Sequence, residues 1–235
     1  MKRIIDNLLF VATTYFYGAL AGIILHLFRK LGIISVRHWE RFPHYQQKMI
    51  LISNHPSLLE ALFLPALFFP EYIFYPNKLG PWSTPDKKNY WDKWYYFWIR
   101  PRAIPVERGN TGAELRALIL MKDTLLAGER IILFPEGGRT FKGTDFLYSR
   151  QGKKIRQLKT SIGWLALKTG ALVVPVWLEG TDKVLPNNRP PFPRFWRKIT
   201  IRIGDPMTFG DGGSITKENI TDEIANALLN LADEG

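Results

Sequence analysis

Short apolar runs alternate with longer helical patterns along this chain. Residues 49–52, Met49-Ile50-Leu51-Ile52, are apolar without interruption and are bounded by Lys48 and Ser53, the pattern of a strand covered on both faces. The same reading predicts strands at 72–75, 103–106, 131–134, 171–178 and 198–204. Between them, residues 58–64 are apolar on nearly every side and predict a buried helix whose length Pro65 and Pro70 limit. Residues 111–127 carry Leu115, Leu118, Ile119, Leu125 and Leu126 in a helical pattern that stops at Gly128. A further helix is predicted at 161–169, and Ile220, Ile224, Leu228 and Leu231 mark a closing amphipathic one. Segment 140–159 reads as a polar, basic loop. Prolines at 186, 190, 191 and 193 exclude a regular element there, and the flanking Phe192, Phe195 and Trp196 suit either a plain surface loop or a lid touching lipid. Strands alternating with helices indicate an α/β domain, a central mostly parallel or mixed sheet flanked by helices.

Ahead of this pattern, residues 8–28 contain no charged side chain apart from His26, with Lys2, Arg3 and Asp6 before them and Arg29 and Lys30 after. As one helix the run would be about 30 Å long, enough to cross a hydrocarbon core. Thr13, Thr14, Tyr15 and Tyr17 moderate it, so the expectation is a membrane-associating helical segment, spanning or monotopic, over 1–34, and a second unit over 35–235. A buried helix of a soluble protein is the alternative. A removed signal peptide fits less well, because no small-residue cleavage site precedes Arg29-Lys30. Arg29, Lys30, Arg37, Arg41 and Lys48 crowd the following stretch. That basic bias predicts membrane association with the larger unit facing the cytoplasm.

Charge narrows the partners. Thirty-two Lys and Arg stand against 21 Asp and Glu, a net +11, which points to phosphorylated substrates, acidic lipid surfaces or nucleic acid. Residues 78–102 mix Trp82, Trp91, Trp94, Tyr95, Tyr96, Phe97 and Trp98 with Lys87, Lys88, Lys93, Arg100 and Arg102. Such a mixture suits a membrane interface, an acyl-chain channel or stacking on single-stranded nucleic acid, besides ordinary core packing. The chain has no cysteine, which excludes a thiolate nucleophile and any cysteine-ligated metal. Its four histidines, His26, His38, His44 and His55, show no metal-ligand spacing, and no metal is expected. Neither a GxSxG elbow nor a GxxxxGK[ST] loop occurs, which argues against a serine hydrolase and a nucleoside triphosphatase.

Two stretches carry candidate chemistry. Asn54-His55-Pro56-Ser57-Leu58-Leu59-Glu60 puts an imidazole and a carboxylate where the 49–52 strand gives way to a helix. Five residues apart, they would not share a helical face. Pro56 favours the first helical turn and leaves His55 outside it, free to fold back toward Glu60. A carboxylate on one ring nitrogen leaves the other able to take a proton, a general-base pair. Ser57 to Glu60 is equally a capping box, which accounts for the carboxylate without chemistry. In the second stretch, Phe134-Pro135-Glu136-Gly137-Gly138-Arg139-Thr140 follows the 131–134 strand. Two glycines can bring backbone N–H groups to an oxyanion, and Arg139 offers a fork suited to phosphate. An ordinary glycine turn beside a solvated arginine is the alternative.

In this order the two stretches resemble the NHxxxxD and FPEGTR blocks of the glycerolipid acyltransferase superfamily, whose best-known members are 1-acyl-sn-glycerol-3-phosphate acyltransferases. Ile104-Pro105-Val106-Glu107-Arg108-Gly109-Asn110 resembles the intermediate block with its substrate-binding arginine; Gln157-Leu158-Lys159-Thr160 resembles the lysine-containing segment, and Val173-Val174-Pro175-Val176 the final one. Glu60 and Gly138 depart from the family's usual Asp and Thr. The resemblance runs from about residue 33 to about residue 209 and implies transfer of a fatty acyl group from acyl-CoA or acyl-carrier protein to a lysophospholipid, 1-acylglycerol-3-phosphate first among them. In that reading His55 is the base and Glu60 its support; Arg108, Arg139 and Lys159 bind the acceptor phosphate, Glu136 organises the arginines or binds glycerol, and Gly137 allows close backbone approach. No cofactor and no nucleic-acid partner is implied, and an anionic membrane surface is. A different lysolipid or glycolipid acceptor, suggested by Glu60, is one rival. A non-enzymatic basic protein binding lipid or nucleic acid is the other.

Overall fold

The computed structural model describes residues 8–12, 14–186, 194, 196–210 and 215–234. Five strands, β1 (Ile34–Arg37), β2 (Met49–Ser53), β3 (Arg130–Leu133), β6 (Leu172–Glu179) and β7 (Ile199–Ile203), form one sheet in the order β1-β7-β6-β2-β3. The pairs β6/β2 and β2/β3 are parallel and β6/β7 is antiparallel, so the sheet is mixed. Helices α1 (Ala19–Lys30), α2 (Glu60–Leu67), α3 (Thr111–Leu126), α4 (Ser161–Thr169) and α5 (Lys217–Asp233) flank it.

The uninterrupted apolar run of β2 is buried at every position. Ile50 and Ile52 point into one core with Ile131, Val173 and helices α3, α4 and α5. Met49 and Leu51 point into the other, with Val174, Val176, Ile201, Leu25 of α1 and Leu64 of α2. The alternation of strand side chains thus divides one hydrophobic segment between two cores. Close packing of α4 on α5 depends on Gly163, where a Cβ would lie 2.0 Å from the Lys217 carbonyl oxygen.

Several expectations are corrected. Residues 72–75 are not a strand: short helices at Phe69–Tyr72 and Pro76–Leu79 occupy the region, each with proline in its first turn, where its missing N–H costs nothing. Residues 103–106 join the sheet margin through isolated bridges, Ala103 to Ser83 and Val106 to Asp86, because Pro105 interrupts any ladder. The polar segment 140–159 contains a hairpin, β4 (Phe146–Tyr148) with β5 (Lys154–Arg156), turned at Gly152 with φ +78°. Helix α2 starts at Glu60 rather than beside Pro56 and continues through Pro65 to Leu67. The proline-rich positions 190, 191 and 193, with Phe192 and Phe195, lie outside the described residues.

The apolar run at 8–28 is divided among a helical stretch at 8–12, a π-helical turn at Thr14–Gly18 and α1. Among the described residues, no helix is long and apolar enough to cross a membrane. Helix α1 docks through Gly22 and Leu25, with Gly22 against the Phe69 ring, while Leu20, Ile23, Ile24, Leu27 and Leu31 remain exposed.

At the amino end of β3, Arg130 and Glu71 form an ion pair at 2.8 Å with both side chains nearly fully buried; Arg130 Nε also donates to the Gln46 carbonyl at 2.7 Å. Burial lowers the Arg130 pKa despite the carboxylate beside it. Glu71→Leu should destabilise the fold by about 3–5 kcal/mol, because it strands a buried charge, whereas Glu71→Leu with Arg130→Met should restore most of that. Urea midpoints of the three proteins test this.

Candidate active site

Strands β2, β3 and β6 run parallel and adjacent, so the segments that follow them all leave the sheet at one edge. That carboxyl edge is where open α/β sheets bind ligands. His55 follows β2, the glycine loop follows β3, and Thr181 follows β6. Asn54 fixes the first departure: its amide donates to the Leu178 carbonyl and accepts from the Leu178 N–H, both at 2.8 Å.

His55 Nδ1 lies 3.1 Å from Glu60 Oε2, and the imidazole stacks on the Phe134 ring at 4.4 Å. Glu60 is 0% exposed. Its other oxygen, Oε1, accepts from the Ser57 N–H at 3.0 Å, the Ser57 hydroxyl at 3.1 Å and the Thr181 hydroxyl. The Leu59 N–H in turn donates to Ser57 Oγ at 3.1 Å. One Glu60 oxygen is thus held by the Ser57 turn ahead of the helix and by Thr181, and the other meets His55. A carboxylate only accepts, so with Oε2 facing it Nδ1 carries the ring proton and Nε2 the free lone pair. The His55 side chain is 12% exposed.

Glu136 is also buried, and its bonds go elsewhere than the arginine heads. Oε1 accepts from the His55 N–H at 2.8 Å and the Thr140 hydroxyl at 2.9 Å; Oε2 accepts from the Arg156 N–H at 2.9 Å. The Thr140 N–H donates to the His55 carbonyl at 2.9 Å. Burial pushes the Glu136 carboxyl above its ordinary value, and these hydrogen bonds pull it part of the way back. This carboxylate ties the His55 segment, the Thr140 turn and the root of Arg156 together.

The Gly137 N–H donates to the Phe134 carbonyl at 3.1 Å. Glycine is required there by φ +66° and by the stem of Lys159, whose Cε would lie 2.7 Å from a Cβ. The Lys159 ammonium leans toward Glu114 at 3.6 Å. At Gly138, a Cβ would stand 2.5 Å from Arg156 Nη1 and 3.7 Å from Arg108 Nη1. Arg108 is loosely paired with Asp86 at 3.7 Å, and the Arg139 guanidinium lies over the Phe141 ring at 4.9 Å.

Arg108, Lys159 and the glycine loop thus converge, and the loop is bonded directly to the histidine segment 81 residues away. Thr181 and Arg156 were not singled out from sequence. Thr181 sits in a Gly180-Thr181-Asp182 stretch, where φ +89° at Gly180 hints at a tight turn; Arg156 is hidden among similar charges. Among the described residues, no cluster of His, Asp or Glu could hold a metal ion.

The acyltransferase family model matches residues 33–179, more than half of the chain, including the His55 segment, the glycine loop and Lys159. The chain belongs to the acyltransferase family. This acyltransferase is 29% identical over 164 residues to the Dictyostelium discoideum protein named taffazin, covering 68% of this chain and 55% of that protein. It is 25% identical over 168 residues to the chloroplastic 1-acyl-sn-glycerol-3-phosphate acyltransferase of Arabidopsis thaliana, covering 71% of this chain and 40% of that protein. The chain spans about half the length, or less, of the curated relatives it matches. In fold it is similar to the crystal structure of the 1-acyl-sn-glycerophosphate (LPA) acyltransferase PlsC of Thermotoga maritima, with TM-score 0.59, 21% identity, and coverage of 99% of this chain and 98% of that one.

Because Glu60 Oε1 is buried, losing the Thr181 hydroxyl should cost about 1–3 kcal/mol. Thr181→Val should lower the urea midpoint accordingly, and Thr181→Ser should recover most of the loss. Equal midpoints for the valine and serine proteins would show that the hydroxyl does not support Glu60.

Proposed function

We propose that this acyltransferase moves a fatty acyl group from an acyl thioester, acyl-CoA or acyl-carrier protein, to the sn-2 hydroxyl of 1-acylglycerol-3-phosphate, making phosphatidic acid for phospholipid synthesis. The observation that carries this reading is the His55–Glu60 contact of 3.1 Å on a segment bonded to the cation-bearing glycine loop. With Nδ1 held by Glu60, Nε2 takes the proton of the acceptor hydroxyl. The oxygen attacks the thioester carbonyl, a C–O bond forms as the C–S bond breaks, and the departing thiolate takes the proton from the imidazolium. Glu60 supports the transient positive charge. Arg108, Arg139 and Lys159 hold the acceptor phosphate, while Glu136 and Gly137 maintain the loop. No acyl-enzyme forms.

The relative from Arabidopsis thaliana, named for this activity, supports the acceptor. A second reading, another lysolipid or glycolipid as acceptor, is favoured by Glu60 and by the relatives named tafazzin, a name that specifies no glycerophosphate. A labelled thioester offered with a panel of lysolipids separates the two.

In this reading the catalytic unit begins near residue 35 and rests on an anionic membrane surface at the cytoplasmic side. Leu20, Ile23, Ile24 and Leu27 make one exposed apolar stripe on α1, with Leu31 just past its end, and Leu62 of α2 and Phe74 are exposed as well. Arg29 and Lys30 follow at the end of the helix, the arrangement of a helix lying in the interface plane.

His55→Ala should lower kcat by about 10²- to 10⁴-fold with the circular dichroism spectrum unchanged; a variant keeping most of its turnover would remove the general-base role. Arg139→Ala should raise KM for the phosphorylated acceptor more than it lowers kcat, measured on the same assay. Vesicle binding by Ile23→Glu, Leu27→Glu should fall at least about tenfold relative to the parent, on vesicles containing phosphatidylglycerol.

A further inference from the structure

We propose that Arg156 is a further phosphate-binding residue of this site, and that Gly138 and Gly143 are glycines because its side chain passes over both of them to reach the acceptor. The inference rests on the acyl-transfer reading above and extends it to specificity for a phosphate monoester over a diester.

Arg156 is anchored at its backbone, where its N–H donates to Glu136 Oε2 and its Cα pairs with Phe146 in the hairpin. From there the side chain crosses two surfaces that carry no Cβ. At Gly143 a Cβ would meet Arg156 Cγ at 2.5 Å, Cδ at 2.8 Å and Nε at 2.8 Å; at Gly138 it would meet Nη1 at 2.5 Å. Gly138 has no positive φ and Gly143 has none either, so neither turn demands glycine. The close approach of the guanidinium does.

Its end point is a group of cations. Arg108 Nη1 approaches the same vacant Cβ position, and Lys159 lies across the neighbouring Gly137. Among the described residues no carboxylate forms an ion pair with Arg156, and those beside Arg108 and Lys159 stand off at 3.7 Å and 3.6 Å. Like charges gathered without close counter-ions repel one another, and a bound dianion relieves that repulsion more than a monoanion does. A phosphate monoester approaches two negative charges near neutral pH, whereas a diester carries one. An added cation therefore favours an acceptor with a terminal phosphate.

The test compares Arg156→Gln, Arg156→Lys and Gly138→Ala in the full chain, with 1-acylglycerol-3-phosphate and a lysophosphatidylglycerol as acceptors. Arg156→Gln should raise KM for the monoester about 10- to 100-fold, at least tenfold more than for the diester, and Arg156→Lys should recover part of the loss. Gly138→Ala introduces a Cβ that displaces the end of a flexible side chain, so it should raise the monoester KM while the melting temperature stays near the parent's, and add nothing in an Arg156→Gln background. Equal losses on both acceptors, or a fall in kcat with KM unchanged, would overturn the assignment. Should the parent chain acylate no lysolipid, the acyl-transfer reading fails, and titration with sn-glycerol 3-phosphate judges Arg156 separately. Binding weakened at least tenfold by Arg156→Gln supports it, and no binding, or equal binding, rejects it.

Discussion

A buried carboxylate is unfavourable unless donors converge on it, and in this chain that condition organises the site. Glu136 lies beneath three segments and accepts one bond from each: the His55 N–H, the Thr140 hydroxyl and the Arg156 N–H. Burial raises its pKa despite those bonds, so the arrangement persists only while all three donors hold their places. The same carboxylate therefore fixes the backbone of the imidazole residue, the turn of the glycine loop and the root of Arg156.

Sheet topology delivers these pieces to one another. Parallel pairing of β3, β2 and β6 sends three loops off the same edge, and each contributes one part: cation-bearing loop, imidazole and Thr181. Helix α2 then begins at Glu60, whose carboxylate holds the preceding Ser57 turn with one oxygen and engages His55 with the other. A residue used twice in this way tolerates little movement, because displacing it disturbs the Ser57 turn and the imidazole together. Burial of Glu60 excludes water from the contact and strengthens it.

On the opposite scale, charge is distributed unevenly between close and longer ion pairs. Arg130 is buried with Glu71, and Arg202 and Lys153 both reach Glu179 at 2.9 Å and 2.8 Å. Burial raises the Glu179 carboxyl, but those two cations outweigh it and hold the group below its ordinary value. These cations are structural. Beside the glycine loop, the carboxylates facing Arg108 and Lys159 lie at 3.7 Å and 3.6 Å, longer contacts than the 2.8 Å of the buried Arg130 pair.

The sequence by itself determined the α/β class, strands 49–52 and 131–134, the four helices α2 to α5, and the His55 and Glu60 pairing, because short apolar runs, helical spacing and a carboxylate near a histidine are local signals. Local pattern also marked the glycine loop, whereas Arg108 and Lys159 stood out only through the resemblance to the acyltransferase blocks. Only tertiary structure decided which groups Glu136, Gly137, Gly138 and Arg156 meet, since most of those partners come from other segments and depend on how the fold brings them together. Residues 72–75 became helical and 103–106 only bridges because proline geometry and long-range packing overrode local apolar preference. The physical reason is the same in each case: periodicity along the chain records which side of an element is buried, whereas hydrogen-bond partners and the space beside a glycine are set by segments that the fold brings in from elsewhere.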